Sequence, residues 1–144
     1  MSFATKARRL PGRLAAGAFT LNSGLSKWNA DEQTAAALHA MASGPYPFLT
    51  RMKAKDFARL LSVTEIGLGA AMLLPVVPTA LAGAGLAAFS SALLGLYLRT
   101  EGTRLEDGFR PTPEGTALAK DVWLLGIGLG LVIDGLSERP ASAG

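Results

Sequence analysis

Residues 66–98 read IGLGAAMLLPVVPTALAGAGLAAFSSALLGLYL, with no charged side chain, one interruption between Pro75 and Pro78, and a lone acidic residue, Glu65, immediately in front. Two apolar arms joined by a proline turn form the pattern of a helical hairpin in a bilayer, because proline cannot continue the helical hydrogen-bond ladder. With residues 57–65 added in front, each arm is roughly 18 to 21 residues, the length that crosses ~30 Å of hydrocarbon at 1.5 Å per residue. The stretch therefore predicts helices over residues 57–74 and 77–98.

Composition agrees with that reading. The chain has 144 residues, 49% hydrophobic and 17% charged, with mean hydropathy +0.31, whereas a soluble domain carries about 25% charge. One domain over residues 1–144, mostly facing lipid, is expected. The sequence pI of 9.6 and net charge of +3 bring nucleic acid to mind. The basic residues, however, flank apolar runs and have few aromatics among them, a pattern that suits lipid headgroups instead. With no cysteine, the chain has no disulfide, thiol redox pair, thiolate-held iron–sulfur cluster or thiolate zinc site. His39 is the single histidine, which excludes haem held by two histidines of this chain and leaves a metal site short of the commonest ligand. No metal site and no catalytic set is expected. Residues 83–88, GAGLAA, match the letters of a dinucleotide fingerprint, but that motif needs a preceding strand and a βαβ unit, and neither is predicted here.

Outward from the hairpin, Lys6, Arg8 and Arg9 lead through Pro11 and Gly12 into an apolar segment. The outline also suits a secretory signal, but Asn22, Ser23 and Lys27 make a poor cleavage region. The segment reads instead as a first transmembrane helix, about residues 10–28. Arg13 and Lys27 snorkel from its ends and Trp28 sits at the interface. Asn29 or Asp31 then caps a short interfacial helix over about 32–42, with Glu32 in its first turn and Gly44, Pro45 and Pro47 stopping it. His39 on this piece reads as an interfacial residue with no special role. A polar connection follows to residue 115, where Thr112 and Pro113 read as an N-cap with proline after it. A fourth helix over about 114–136 and a small polar tail complete the chain. The fold class expected is all-α: a four-transmembrane-helix bundle with a short amphipathic helix between helices 1 and 2.

Alternating helix directions put Lys27, Arg59, Lys120 and Asp121 on one side of the membrane. Glu65 lies about eight residues into its helix, ~12 Å below that surface. A carboxylate there costs about 2.5 to 3.5 kcal/mol unless paired or protonated. Glu65 is therefore expected to face the bundle interior and to meet Lys27 or Lys120. Arg13 and Asp134 are expected together near the opposite face. Structural ion pairing is one reading of these groups, and a polar pocket for a ligand such as a quinone headgroup is the other. Gly17, Gly24, the Gly67/Ala71 pair and the Gly126/Gly130 pair, a GxxxG, are candidates for close helix packing, inside the bundle or against another subunit.

These residues carry a family resemblance. Arg13-Leu14-Ala15-Ala16-Gly17, followed by Asn22-Ser23-Gly24-Leu25-Ser26-Lys27-Trp28, resembles the DoxX signature of an arginine-led first helix closing on G-x-x-K. Glu65-Ile66-Gly67-Leu68-Gly69 is similar to the family's acidic patch in helix 2, Ala119-Lys120-Asp121 to the pair opening its helix 4, and the Gly44-Pro45 turn fits as well. The likeness covers residues 13–136 and is to actinobacterial DoxX-like proteins. It implies a multi-pass protein of the bacterial cytoplasmic membrane, in a family described as parts of membrane oxidoreductase assemblies. Without cysteine or a cofactor motif, independent redox catalysis is not expected. The leading expectation is an accessory or anchoring subunit of a larger membrane complex, partnered by the lipid bilayer and other membrane subunits and not by nucleic acid. A quinone- or lipid-binding protein with its pocket around Glu65, and a small transporter, are the alternatives. Five basic residues (Lys6, Arg8, Arg9, Arg13, Arg139) share a side with the termini and nine (Lys27, Arg51, Lys53, Lys55, Arg59, Arg99, Arg104, Arg110, Lys120) lie on the other. The count favours cytoplasmic loops, while the N-terminal cluster argues the other way.

Overall fold

A computed structural model describes residues 2–113 and 115–138. Among the described residues the chain is all-helical, its only extended pairing being an isolated bridge between Arg104 and Pro111. The helices are α1 (Phe3–Lys27), α2 (Glu32–Ser43), α3 (Ala54–Leu73), α4 (Thr79–Arg99), α5 (Thr116–Ala119) and α6 (Asp121–Leu136), with a 3₁₀ turn at Pro47–Arg51. Two spans, Thr79–Arg99 and Thr116–Leu136, are long and apolar enough to cross a membrane.

Several boundaries depart from the sequence reading for local reasons. Helix α1 begins at Phe3 rather than near residue 10, because Ser2 caps it through the Thr5 N–H and the helix runs on through Pro11. Pro11 lacks an N–H and cannot bond the carbonyl four residues back, yet Arg8 and Arg9 tie the leading turns to Asp134. Asp31 supplies the α2 cap, accepting from Thr34 N at 2.7 Å. That hydrogen bond holds its carboxyl below the usual range. The expected fourth helix is broken at Lys120 into α5 and α6. Thr112 accepts from Gly115 N at 3.1 Å, but Pro113 stays outside the helix, which starts after Gly115. Glu114 and residues 139–144, including Arg139 and most of the expected tail, lie outside the described residues.

The four long helices form two tight antiparallel pairs, α1 with α3 and α4 with α6, joined by looser seams. Absent side chains set both close approaches. A Cβ at Gly24 would stand 2.7 Å from Ile66 N, and one at Gly69 would stand 2.5 Å from Leu21 N. In the second pair, a Cβ at Gly128 would meet Ala87 N at 2.7 Å, and one at Gly135 would meet Ala80 N at 2.6 Å. Gly17 is used in the first pair, packed on Met72 and Leu73. Gly67, Gly126 and Gly130 have open space where a side chain would go, so the expected GxxxG pair does not hold this bundle together. Gly128 and Gly135 are seven residues apart and share one face with Leu131 and Val132. That face meets α4. Between the pairs, Ala16, Met72, Ala82, Leu86 and Leu131 form the core. A second cluster around Phe57, Ala42 and Leu96 seats α2 and the 3₁₀ turn on the ends of α3 and α4.

Substitution tests this division of the glycines. Gly128→Ala forces α6 away from the α4 backbone and is expected to destabilise the protein by about 1 to 3 kcal/mol, the range for overpacking. Gly126→Ala is expected to leave stability unchanged or slightly raised, since Ala is the better helix former. Thermal unfolding in mild detergent measures both, and equal effects would refute the assignment.

Candidate functional site

The charged residues gather at the two ends of the bundle. At the α3–α4 turn the controlling group is Arg13, 9% exposed. Pro75 has no N–H to offer the Ala71 carbonyl, and the α3 carbonyls after it are orphaned as the helix ends. Arg13 meets them with its whole fork. Nε donates to Met72 O at 2.7 Å, Nη2 to Ala71 O and Leu74 O at 2.8 Å each, and Nη1 to Val77 O and Thr79 Oγ1 at 3.1 Å each. All five guanidinium N–H groups are used, and the positive charge sits on the negative end of the α3 dipole.

Arg13 and Asp134 are therefore near one another without pairing, which corrects the expected ion pair. With every N–H committed to the turn, Arg13 has none for a carboxylate. Asp134 pairs instead with Arg8 and Arg9, and Arg9 Nη1 also lies 3.3 Å from Glu138. The sequence reading places Arg8 and Arg9 only in the basic lead of the first helix, although Arg9 lies one turn before Arg13 on the same helix face.

At the other end stands Glu65, 5% exposed. The structure brings it to Lys27, Nζ to Oε2 at 2.9 Å. Ser23 bridges the pair, donating to Glu65 Oε1 at 3.2 Å while Lys27 Nζ lies 2.6 Å from its Oγ. Gly24 makes this geometry available, because its missing side chain lets α1 approach the Glu65 Cβ. Ser62 reinforces the contact by donating to Gly24 O at 2.7 Å. Asp121, half-buried at the start of α6, lies in the field of both charges, repelled by Glu65 and attracted by Lys27. Lys120 is exposed on the break before α6 and forms no ion pair with Glu65. Arg59 also stays outside the cluster, its guanidinium lying 4.1 Å from the Trp28 ring centroid. Ser23 and Trp28 complete this end; a serine one turn before Lys27 is the only sequence signal for the bridge.

Beside this cluster a cleft of about 470 Å³ opens between α1 and α6, lined by Ala16, Phe19, Lys120, Asp121, Trp123 and Ile127 among others. Its walls are mainly apolar, with charge at one end. A further cleft of about 370 Å³ lies along the same seam near Arg8, Gly12, Gly130 and Asp134. Among the described residues no group of three or more His, Asp or Glu is placed to hold a metal ion. His39 donates from Nε2 to Leu49 O at 2.7 Å and packs on Phe57. The arrangement offers buried ion pairing and an amphipathic cleft.

Removing one partner of a buried ion pair strands the other. Lys27→Met is therefore expected to cost about 3 to 5 kcal/mol, while Lys27→Met combined with Glu65→Leu should recover most of it. Arg13→Met leaves four carbonyls without that donor and should cost at least about 3 kcal/mol. Arg13→Lys, with three donors and no fork, should recover only part. Chemical denaturation in detergent checks both sets; additive Lys27 and Glu65 effects would refute the coupling. Compared with protein-family models, curated proteins and solved structures, the chain finds no match in any of them.

Proposed function

We propose that this chain is a DoxX-like, four-helix integral membrane protein of the bacterial cytoplasmic membrane. In this reading it serves as an accessory or anchoring subunit that packs against another membrane protein through α6. Two of its helices meet the requirements of a membrane span on length and hydropathy alone. The charges on α1 and α3 are the obstacle to the other two crossing. The partners of Arg13 and Glu65 support that crossing, since a polar group in hydrocarbon is tolerated when satisfied from within the protein.

The observation that carries the subunit role is the outer face of α6. Val122, Gly126, Leu129, Ile133 and Leu136 recur at alternating steps of four and three residues, and all five are exposed. Only 11% of the apolar window of the Thr116–Leu136 span is buried inside the chain, against 33% for α4. A four–three apolar stripe with a small residue in it is the surface that a neighbouring helix packs on. The charged groups, by contrast, are largely engaged in holding the bundle, which supports a scaffold over a catalyst.

Because the chain has no cysteine, single cysteines or photo-crosslinkers can be placed cleanly. A crosslinker at Leu129 or Ile133 is expected to give one adduct of discrete mass in native membranes, while one at exposed Leu81 on α4 gives none. A monodisperse monomer without adducts or stoichiometric partners in mild detergent would refute the subunit reading. The α1–α6 cleft supports a second reading, a quinone- or lipid-binding protein with the headgroup near Lys120 and Asp121. That reading requires a stoichiometric quinone or lipid in an organic extract of the purified protein, and an empty extract would refute it.

A further inference from the structure

We infer that the chain holds the phosphate of one anionic phospholipid at the junction of α1 and α3, in a site separate from the α1–α6 cleft. A polar cleft of about 260 Å³ lies there, lined by Lys27, Trp28, Asn29, Lys55 and Arg59 together with two alanines. Three of these side chains are cationic, and they come from the end of one helix and the start of another. The folded chain gathers them on a single concavity.

Arg59 is the strongest element. Its guanidinium is laid over the Trp28 indole, an arrangement that fixes the planar group while leaving its N–H edge for an oxygen ligand. Among the described residues no carboxylate pairs with Arg59. A guanidinium presented in this way matches a phosphate with two parallel hydrogen bonds. Lys55 has Glu32 at 3.3 Å, but both side chains are largely exposed, and exposed pairs are weak enough for a phosphate to compete. Lys27 stays with Glu65 and contributes its field from the floor. The α3 N-terminus beside the cleft carries no side-chain cap but has Asp56 in its first turn, which offsets the positive helix end, so the attraction rests on the three cationic side chains.

What lies below the cleft distinguishes a lipid from a soluble anion. Leu25 lies one turn before Trp28 on α1, and Val63 lies one turn after Arg59 on α3. Both steps lead from the bundle end toward its middle, and both side chains are exposed, at 56% and 50%. A residue three or four positions away on a helix lies directly above or below its neighbour. The surface therefore runs from a cationic cleft, past an indole of the kind that marks membrane interfaces, onto apolar residues at acyl-chain depth. A free phosphate would use only the upper part.

The inference rests on the membrane placement proposed above. The test uses the full chain in lipid nanodiscs of phosphatidylcholine with or without phosphatidylglycerol, reading retained lipid by native mass spectrometry. Failure to incorporate into nanodiscs at all would refute the membrane placement itself. Incorporated wild-type protein is expected to retain one phosphatidylglycerol in preference to phosphatidylcholine. Lys55→Gln with Arg59→Gln should reduce that preference about thirtyfold, given the contribution of each basic residue near an anionic surface. Lys55→Gln alone, at an exposed position that leaves the fold undisturbed, should reduce it about fivefold. Equal retention of the two lipids by incorporated wild-type protein, or an unchanged preference in the double variant with unaltered thermal unfolding, would overturn the site. Inorganic phosphate displacing the lipid at equal concentration would overturn its assignment to a phospholipid.

Discussion

The fold depends on the way the α3–α4 turn is closed. Two prolines in four residues make the reversal sharp, and Pro75 also withholds the N–H that the helix end needs. In water the exposed carbonyls would be solvated. Inside a bundle of apolar helices they need a donor from elsewhere in the chain. Arg13 brings five N–H groups to five acceptors on and beside that turn, which fixes α1 against α3 in register and holds the first residue of α4 in the same network. Arg8 and Arg9, one turn earlier, extend the grip to the end of α6 through Asp134. One end of the bundle is thus held by the arginines of a single helix.

The opposite end uses a different device. Gly24 brings the α1 backbone close enough for Ser23 and Lys27 to enclose the Glu65 carboxylate. Both ends therefore join α1 to α3, and the pairing of α4 with α6 rests on glycine contacts in place of charge. Strong pairs with looser seams explain why the larger clefts lie along the α1–α6 boundary. Among the described residues neither pair is stitched to the other by ion pairs except at the Asp134 corner.

The surface divides by chemistry in a related way. The basic residues that start α3 and end α1 are drawn onto one cleft, the outer stripe of α6 is apolar and open, and α2 with its 3₁₀ turn covers the ends of α3 and α4 through Phe57, Tyr46 and Leu96. The proposed headgroup site, the proposed protein contact and the loop region each have a separate face. The proposed subunit and lipid-binding roles occupy different faces and need not compete.

The uncharged run from Ile66, its proline break and the flanking basic residues determined an all-helical chain and the two hairpin helices, and the Asp31 cap with the stop at Gly44, Pro45 and Pro47 determined the approximate position of α2, because hydrophobic run length, caps and proline are local properties. The need for Glu65 to be satisfied was equally legible, since the cost of a buried carboxylate does not depend on its neighbours' identity. Which groups satisfy it was decided by tertiary structure. Lys27 reaches it because Gly24 removes a side chain between α1 and α3, while Lys120 is turned outward by the break before α6. The same holds for the glycines. Sequence spacing alone made Gly126 and Gly130 as good a pair as any, and only the rotation of α6 about its axis chose Gly128 and Gly135 to face α4. Arg13 is the clearest case: opposite charge suggested Asp134, but a guanidinium goes where most of its N–H groups are met, and four of its five acceptors are backbone carbonyls that no side-chain pattern reveals.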